Sequence, residues 1–246
     1  MNERCSRLWL LLCLFFFSGC GKEGTSSAQG VPLARTAPAV RARSQAWTVS
    51  GTVPSAPPGT EFFLFAAQPP GADLRAWSGA LLDRADLREG RFLLTAPEGF
   101  ASPLEVLVSA PGRALVRRSV SPGEDLSVDL PPEAVLTLGL RSPRGEAEED
   151  ALALVFDAQS GAPLPLPAPD LVSGADGSLR ATRLPAGRFE VLVTSGDGAR
   201  WGRLDIELAA GERVARSLTL QPADELELRF LERVGAPVED LLKESR

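Results

Sequence analysis

The residues with the most distinctive chemistry are one thiol, one knot of acids and a few indole rings. Cys20 directly follows the small pair Ser18-Gly19. A nucleophilic sulfur beside residues without bulk leaves the backbone open to a modifying enzyme. Glu146, Glu148, Glu149 and Asp150 crowd together and offer hard oxygen donors of the kind calcium takes. Their spacing fits no calcium loop, and a solvated turn between strands is the plainer reading. Trp47, Trp77 and Trp201 would stack on sugar rings if they shared an exposed sheet face, with Trp77 and Trp201 the candidate ligand-binding pair. In small sandwiches a tryptophan is more often partly buried.

Much chemistry is excluded outright. The chain has no histidine and no tyrosine, so nucleophiles that depend on an imidazole base are ruled out, as are the usual zinc and copper sites. Lys22 and Lys243 are the only lysines, and both lie outside the stretch that reads as folded. No glycine-rich phosphate loop of the expected form appears. Paired carboxylates across a cleft would still allow glycoside chemistry, but small sandwiches seldom offer such a cleft. The expectation is a non-enzymatic chain with no catalytic residue, no metal and no cofactor.

The thiol gains its meaning from what precedes it. Arg4 and Arg7 give a cationic start, Leu8 to Phe17 is an unbroken apolar run, and Ser18-Gly19 closes it. This is the layout of a secretory signal, and the run is far shorter than the roughly 20 residues a membrane-spanning helix needs. With Cys20 next, the segment resembles the lipobox of bacterial lipoproteins, although Phe17 stands where leucine is most often found. That resemblance implies cleavage between Gly19 and Cys20, and diacylglycerol on the Cys20 sulfur with acylation of the freed amine. Two or three acyl chains hold a protein at a bilayer where one does so only marginally. Gly21 is not the aspartate that retains some lipoproteins in the inner membrane, so the same resemblance favours the outer membrane.

Cys5 and Cys13 leave with the signal, so the folded part has neither thiol nor disulfide and must be held by apolar burial. Residues 20–44 are rich in Gly, Ser, Thr, Ala, Pro and Arg without apolar periodicity, which predicts a disordered tether. Its cations Lys22, Arg35, Arg41 and Arg43 face only Glu23. The whole chain carries 26 Lys and Arg against 32 Asp and Glu, so the acid excess is concentrated in the body. An acidic body argues against nucleic acid as a partner.

From Gln45 the pattern becomes strand-like, with apolar and polar residues alternating over short runs. Leu126-Val128-Leu130, Leu136-Leu138-Leu140, Phe189-Val191-Val193, Leu204-Ile206-Leu208 and Leu226-Leu228-Phe230 each put one apolar face inward. Signals also recur at nearly constant distance. Glu89-Gly90-Arg91-Phe92 matches Asp176-Gly177-Ser178-Leu179, Leu104 to Val108 matches Phe189 to Val193, and Gly123-Glu124 matches Gly211-Glu212. The period suits one seven-strand sandwich per repeat. The fold class expected is all-β: two tandem sandwiches over 45–131 and 132–222. Residues 223–246, with Gly235 matching Gly145, read as the start of an incomplete third repeat, one strand plus a tail.

Asp176 to Val193, with Asp-Gly opening a strand, Leu184-Pro185 stopping it and Gly187-Arg188-Phe189-Glu190-Val191 starting the next, resembles the central hairpin of carboxypeptidase regulatory-like domains. These are transthyretin-like or Ig-like β-sandwiches of exported bacterial proteins. Copy one departs from that pattern at Ala96 to Phe100, which holds extra residues. Together the features predict a lipid-anchored envelope protein displaying β-sandwich modules in a structural or protein-binding role, with the bilayer as partner through acylated Cys20. The alternatives are a polysaccharide-binding module and an accessory subunit that pairs with an envelope complex through its C-terminal strand.

Overall fold

A computed structural model describes residues 47–235, apart from 98–99, 101–102, 122 and 167. The chain forms two β-sandwiches of Ig-like, all-β architecture, followed by a helix. The strands of the first are β1 (Trp47–Thr52), β2 (Glu61–Ala66), β3 (Leu81–Asp86), β4 (Arg91–Ala96), β5 (Leu104–Ser109), β6 (Val116–Val120) and β7 (Asp125–Ser127). They make a sheet of order β4-β1-β7 and a sheet of order β3-β2-β5-β6. A short helix, α1 (Leu74–Gly79), lies between β2 and β3.

The second sandwich holds β8 (Ala134–Arg141), β9 (Leu152–Asp157), β10 (Ser178–Leu184), β11 (Gly187–Thr194), β12 (Trp201–Leu208) and β13 (Arg213–Thr219). Its sheets run β10-β8-β13 and β12-β11-β9. In each sandwich the first strand pairs antiparallel with one neighbour and parallel with the other: β1 with β4 and β7, β8 with β10 and β13. Gly90 and Gly177 precede equivalent strands and carry φ of 75° and 74°. The turns before β7 and β13 use one device twice. Glu124 accepts from the Ser121 N–H at 2.7 Å, and Glu212 accepts from the Ala209 N–H at 2.7 Å.

Each sandwich has its own core, fed by the inward side of the alternating strands. Phe62 stacks on Phe92 in the first, with centroids 4.1 Å apart, among Leu64, Leu94 and Val106. In the second, Leu136, Leu138, Leu140, Phe189 and Val191 are all buried. The run Phe62-Phe63-Leu64-Phe65 is covered unevenly. Phe62 and Leu64 are fully buried, whereas Phe63 and Phe65 are half-buried beneath Arg84 and Trp77.

The strand expected at Glu225 to Leu231 is not one. Residues Asp224–Val234 form a helix, α2, and Gly235 is its left-handed C-cap at φ 78°, with its N–H directed to the Glu232 and Leu231 carbonyls. The physical reason is that Leu226, Phe230 and Val234 recur every four residues and so fall on one helix face, which docks on the β9-β11-β12 sheet. Leu228, the alternate apolar residue that suggested a strand, stays 37% exposed. A helix satisfies its own backbone, so it docks without needing a sheet edge. Gly145 and Gly235 share a positive φ but end different elements, a strand turn and a helix.

Candidate functional site

Cys20 and Gly19 lie outside the described residues, as do 20–44 and 236–246. The other sequence candidates are placed, and their geometry is structural. Trp77 is 7% and Trp201 5% exposed, so the pair does not form an exposed sugar-stacking platform. Trp201 packs against Phe230 of α2 with centroids 5.0 Å apart. Trp77 of α1 meets Phe65 edge-on at 5.9 Å and is capped by the Arg117 guanidinium 4.3 Å from its ring. Trp47 is half-buried against the first core.

The acid knot divides in the same way. Glu148 is buried and gripped by Arg200, whose Nε and Nη2 donate at 2.7 and 3.0 Å. This bidentate bond holds the Arg200 pKa above its ordinary value. Glu146, Glu149 and Asp150 are exposed, and among the described residues no group of acids is arranged to hold a metal ion. Beside them, burial pushes the Asp197 carboxyl up, but the Ser195 hydroxyl at 2.5 Å, the Ala199 N–H and Arg200 together hold it below the usual range.

The most heavily built region is the joint between the two sandwiches, which sequence reasoning did not anticipate. A register shift in β10 between Ala181 and Leu184 sets Arg183 at φ 59°, a bulge that turns its backbone and side chain toward the first domain. The Leu115 N–H donates to the Arg183 carbonyl at 2.8 Å, and Arg183 Nη1 donates to Ser109 Oγ at 2.7 Å. Farther along, the Gly71 N–H donates to the Ser160 carbonyl at 3.0 Å, and Arg117 Nη2 donates to the Pro163 carbonyl at 3.2 Å. Burial among these groups lowers the Arg117 pKa, which the charges of Glu105 and Asp157 partly restore.

Helix α2 closes the joint. Its Phe230 and Val234, with Leu154, Phe156, Leu192 and Trp201 of the sheet, make a third apolar cluster against which Leu74 of α1 packs. Glu190 on β11, whose side chain is only 5% exposed, draws Arg203 of β12 to 3.1 Å and Arg229 and Arg233 of α2 to 2.5 and 3.3 Å. A buried carboxylate without such partners would cost several kcal/mol, so charge as well as apolar area holds the helix down. Arg233 also lies over the Phe156 ring at 5.0 Å and donates to the Gly161 carbonyl at 3.3 Å.

An open cleft of about 640 Å³ lies in the first domain between β3 and β4 and is lined by Ser50, Arg84, Asp86, Arg88, Arg91 and Phe92. Arg84 is already paired with Glu61. Ser50 Oγ donates to Asp125 at 3.1 Å. No described helix is long and apolar enough to cross a membrane.

No family model matches the chain, and no characterised protein matches it in sequence. Solved structures do align with it. A Streptococcal ancillary pilin is 11% identical, with 72% of this chain and 69% of that one covered and a TM-score of 0.33. The minor pilin of Streptococcus agalactiae is 8% identical over 72% and 96%, with a TM-score of 0.32. The shaft pilin of Lactobacillus rhamnosus GG is 9% identical over 73% and 98%, with a TM-score of 0.32. Superposition this loose carries no functional argument, and the Ig-like assignment stands on the two pairs of sheets.

Proposed function

We propose that this chain is a lipid-anchored envelope protein whose two sandwiches act together as a rigid, non-enzymatic display or spacer module. The observation that carries the reading is the joint. Two domains and helix α2 are fastened by backbone hydrogen bonds, half-buried arginines and a shared apolar cluster, while Glu148, Trp77 and Trp201 are absorbed into structural contacts. A body of that kind transmits position and presents surfaces. The anchor is supported by the cationic start, the short apolar run and Cys20 behind Ser18-Gly19. Kinship with carboxypeptidase regulatory-like domains, suggested by the Asp176 to Val193 hairpin, fits an exported module of this sort.

The test is detergent phase partitioning of the protein expressed in a bacterial host, wild type against Cys20→Ala, with mass spectrometry of the N-terminal peptide. Wild type should enter the detergent phase with an acylated peptide beginning at Cys20, and the variant should stay aqueous. Equal partitioning of the two, or an unmodified wild-type peptide, overturns the anchor.

A further inference from the structure

In a chain with more acid than base, one sheet carries base alone. Strands β8, β10 and β13 contain Arg141, Arg180, Arg183, Arg213 and Arg216 and no aspartate or glutamate. The opposing sheet of the same sandwich holds Asp157, Glu190, Asp205 and Glu207. Leu136, Leu138, Leu140, Leu179 and Ala181 point into the core, so alternation sends Arg141, Arg180 and Arg213 to the outer face, and all are exposed. Arg183 is committed to the domain joint.

The register gives the layout. Arg180 stands beside Thr137 and Ala215, Ser178 beside Gly139 and Ser217, and Arg141 beside Thr219. The floor between Arg180 and Arg141 is therefore small, whereas Arg213 stands beside Val135, which is covered although it lies outside the core cluster. With strands about 4.8 Å apart and about 6.8 Å per residue pair along a strand, the three arginines are anchored roughly 12 to 21 Å from one another. Among the described residues none of the three forms an ion pair. Three rim acids each give one carboxylate oxygen to a backbone N–H group, although Asp176 also feels the Arg141 charge. Glu133 accepts from Arg183 at 3.0 Å, Asp176 from Ser178 at 2.8 Å and Glu212 from Ala209 at 2.7 Å.

We propose that the outer face of the β10-β8-β13 sheet docks on an anionic lipid surface. The spacing is too wide for one small anion to bridge, so the face suits negative charge repeated over a plane. Among the two extended polyanions available at an envelope, an acidic glycan would be expected to meet a stacking ring, and this face has none. A bilayer needs only charge and a flat approach. The inference rests on the reading that the chain works at a membrane, and it adds a second contact there, made by the folded body.

The test uses the chain from Ser44 onward. Every described strand and helix lies within it, and it lacks both Cys20 and the tether cations. Flotation is measured with vesicles of phosphatidylcholine alone and of phosphatidylcholine with about one third phosphatidylglycerol, at low salt and at about 0.5 M salt. Binding is expected to the anionic vesicles alone and to be lost at high salt. The triple variant Arg141→Ala, Arg180→Ala, Arg213→Ala should bind roughly a hundredfold more weakly, at about fivefold per arginine, with an unchanged melting temperature. Equal binding to neutral vesicles, no binding, or an unaffected triple variant overturns the proposal. Retention by alginate without vesicle binding would assign the face to a glycan instead. Either failure, with Cys20→Ala still released from membranes, leaves the anchor standing and removes only the sheet contact.

Discussion

Truncating Phe230 and Leu228 separately distinguishes a docked helix from a third-repeat strand at the C-terminus. In α2 the two side chains diverge. Phe230 is fully buried against Trp201, whereas Leu228 is 37% exposed. In a strand they would share a face with Leu226, and both truncations would be costly. For the helix, Phe230→Ala removes a ring from a close-packed cluster, a change that typically costs 3–5 kcal/mol, while Leu228→Ala should stay within about 0.5 kcal/mol.

The first value is a large part of the roughly 5–15 kcal/mol that stabilises a domain. An isolated helix as short as α2 is marginal in water, so the loss should also free the helix as a unit. Urea unfolding followed by tryptophan fluorescence gives the two free energies, and amide exchange gives the protection of residues 226–234. Phe230→Ala should lower the midpoint strongly and strip protection from α2 while the β8 amides stay slow. A Leu228→Ala cost equal to that of Phe230→Ala, or a Phe230→Ala cost below about 1 kcal/mol, would refute the docking geometry.

Gly177→Ala and Gly90→Ala place the same change at equivalent turns. Both positions have positive φ, but a Cβ at Gly177 would lie 2.5 Å from the Leu140 carbonyl oxygen, whereas one at Gly90 meets nothing within 4 Å. Thermal melts should show only the backbone cost of about 1–2 kcal/mol at Gly90 and a clearly larger loss at Gly177. Acid should also weaken the fold through Asp197. Its folded pKa is depressed, so the stability it contributes is present above the unfolded value near 4 and is lost as pH falls through the folded value. Urea midpoints between about pH 7 and pH 3 should fall less steeply in Asp197→Asn than in wild type, and identical slopes would contradict the assignment.

What could be read from the sequence was whatever depends on near neighbours. Alternation in Leu136-Leu138-Leu140 and Phe189-Val191-Val193 marks the inner faces, and Gly90, Gly177, Gly123 and Gly211 mark turns that each strand pairing repeats. Strand β3 carries no such mark, because Leu81-Leu82-Asp83-Arg84-Ala85-Asp86 does not alternate and none of its residues is fully buried. Helix α2 was masked by a coincidence, since Leu226, Leu228 and Phe230 satisfy a period of two while Leu226, Phe230 and Val234 satisfy a period near four. Acids at Glu225 and Glu227, Arg233 in the last turn and Gly235 just beyond form the set of helix-end signals that resolves it. The joint was illegible because Ser109 meets Arg183, and Gly71 meets Ser160, only through tertiary folding.

The places where the two copies differ are the places that join them. Where the first sandwich continues its sheet with β3, the second has no strand among the described residues, and the chain after β9 meets its edge at isolated bridges, Phe156–Pro163 and Leu152–Val172. Loosened from strict pairing, that segment turns the Ser160 and Pro163 carbonyls toward Gly71 and Arg117 of its neighbour. The bulge at Arg183 does the same on the other sheet. The outer face of β9, β11 and β12 carries Leu154, Phe156, Leu192 and Trp201, a stripe that would be exposed in a free-standing sandwich, and α2 covers it while touching α1. An exact repeat would have left two independent modules on a flexible link. Divergence at one strand position, one bulge and one added helix is what couples the pair.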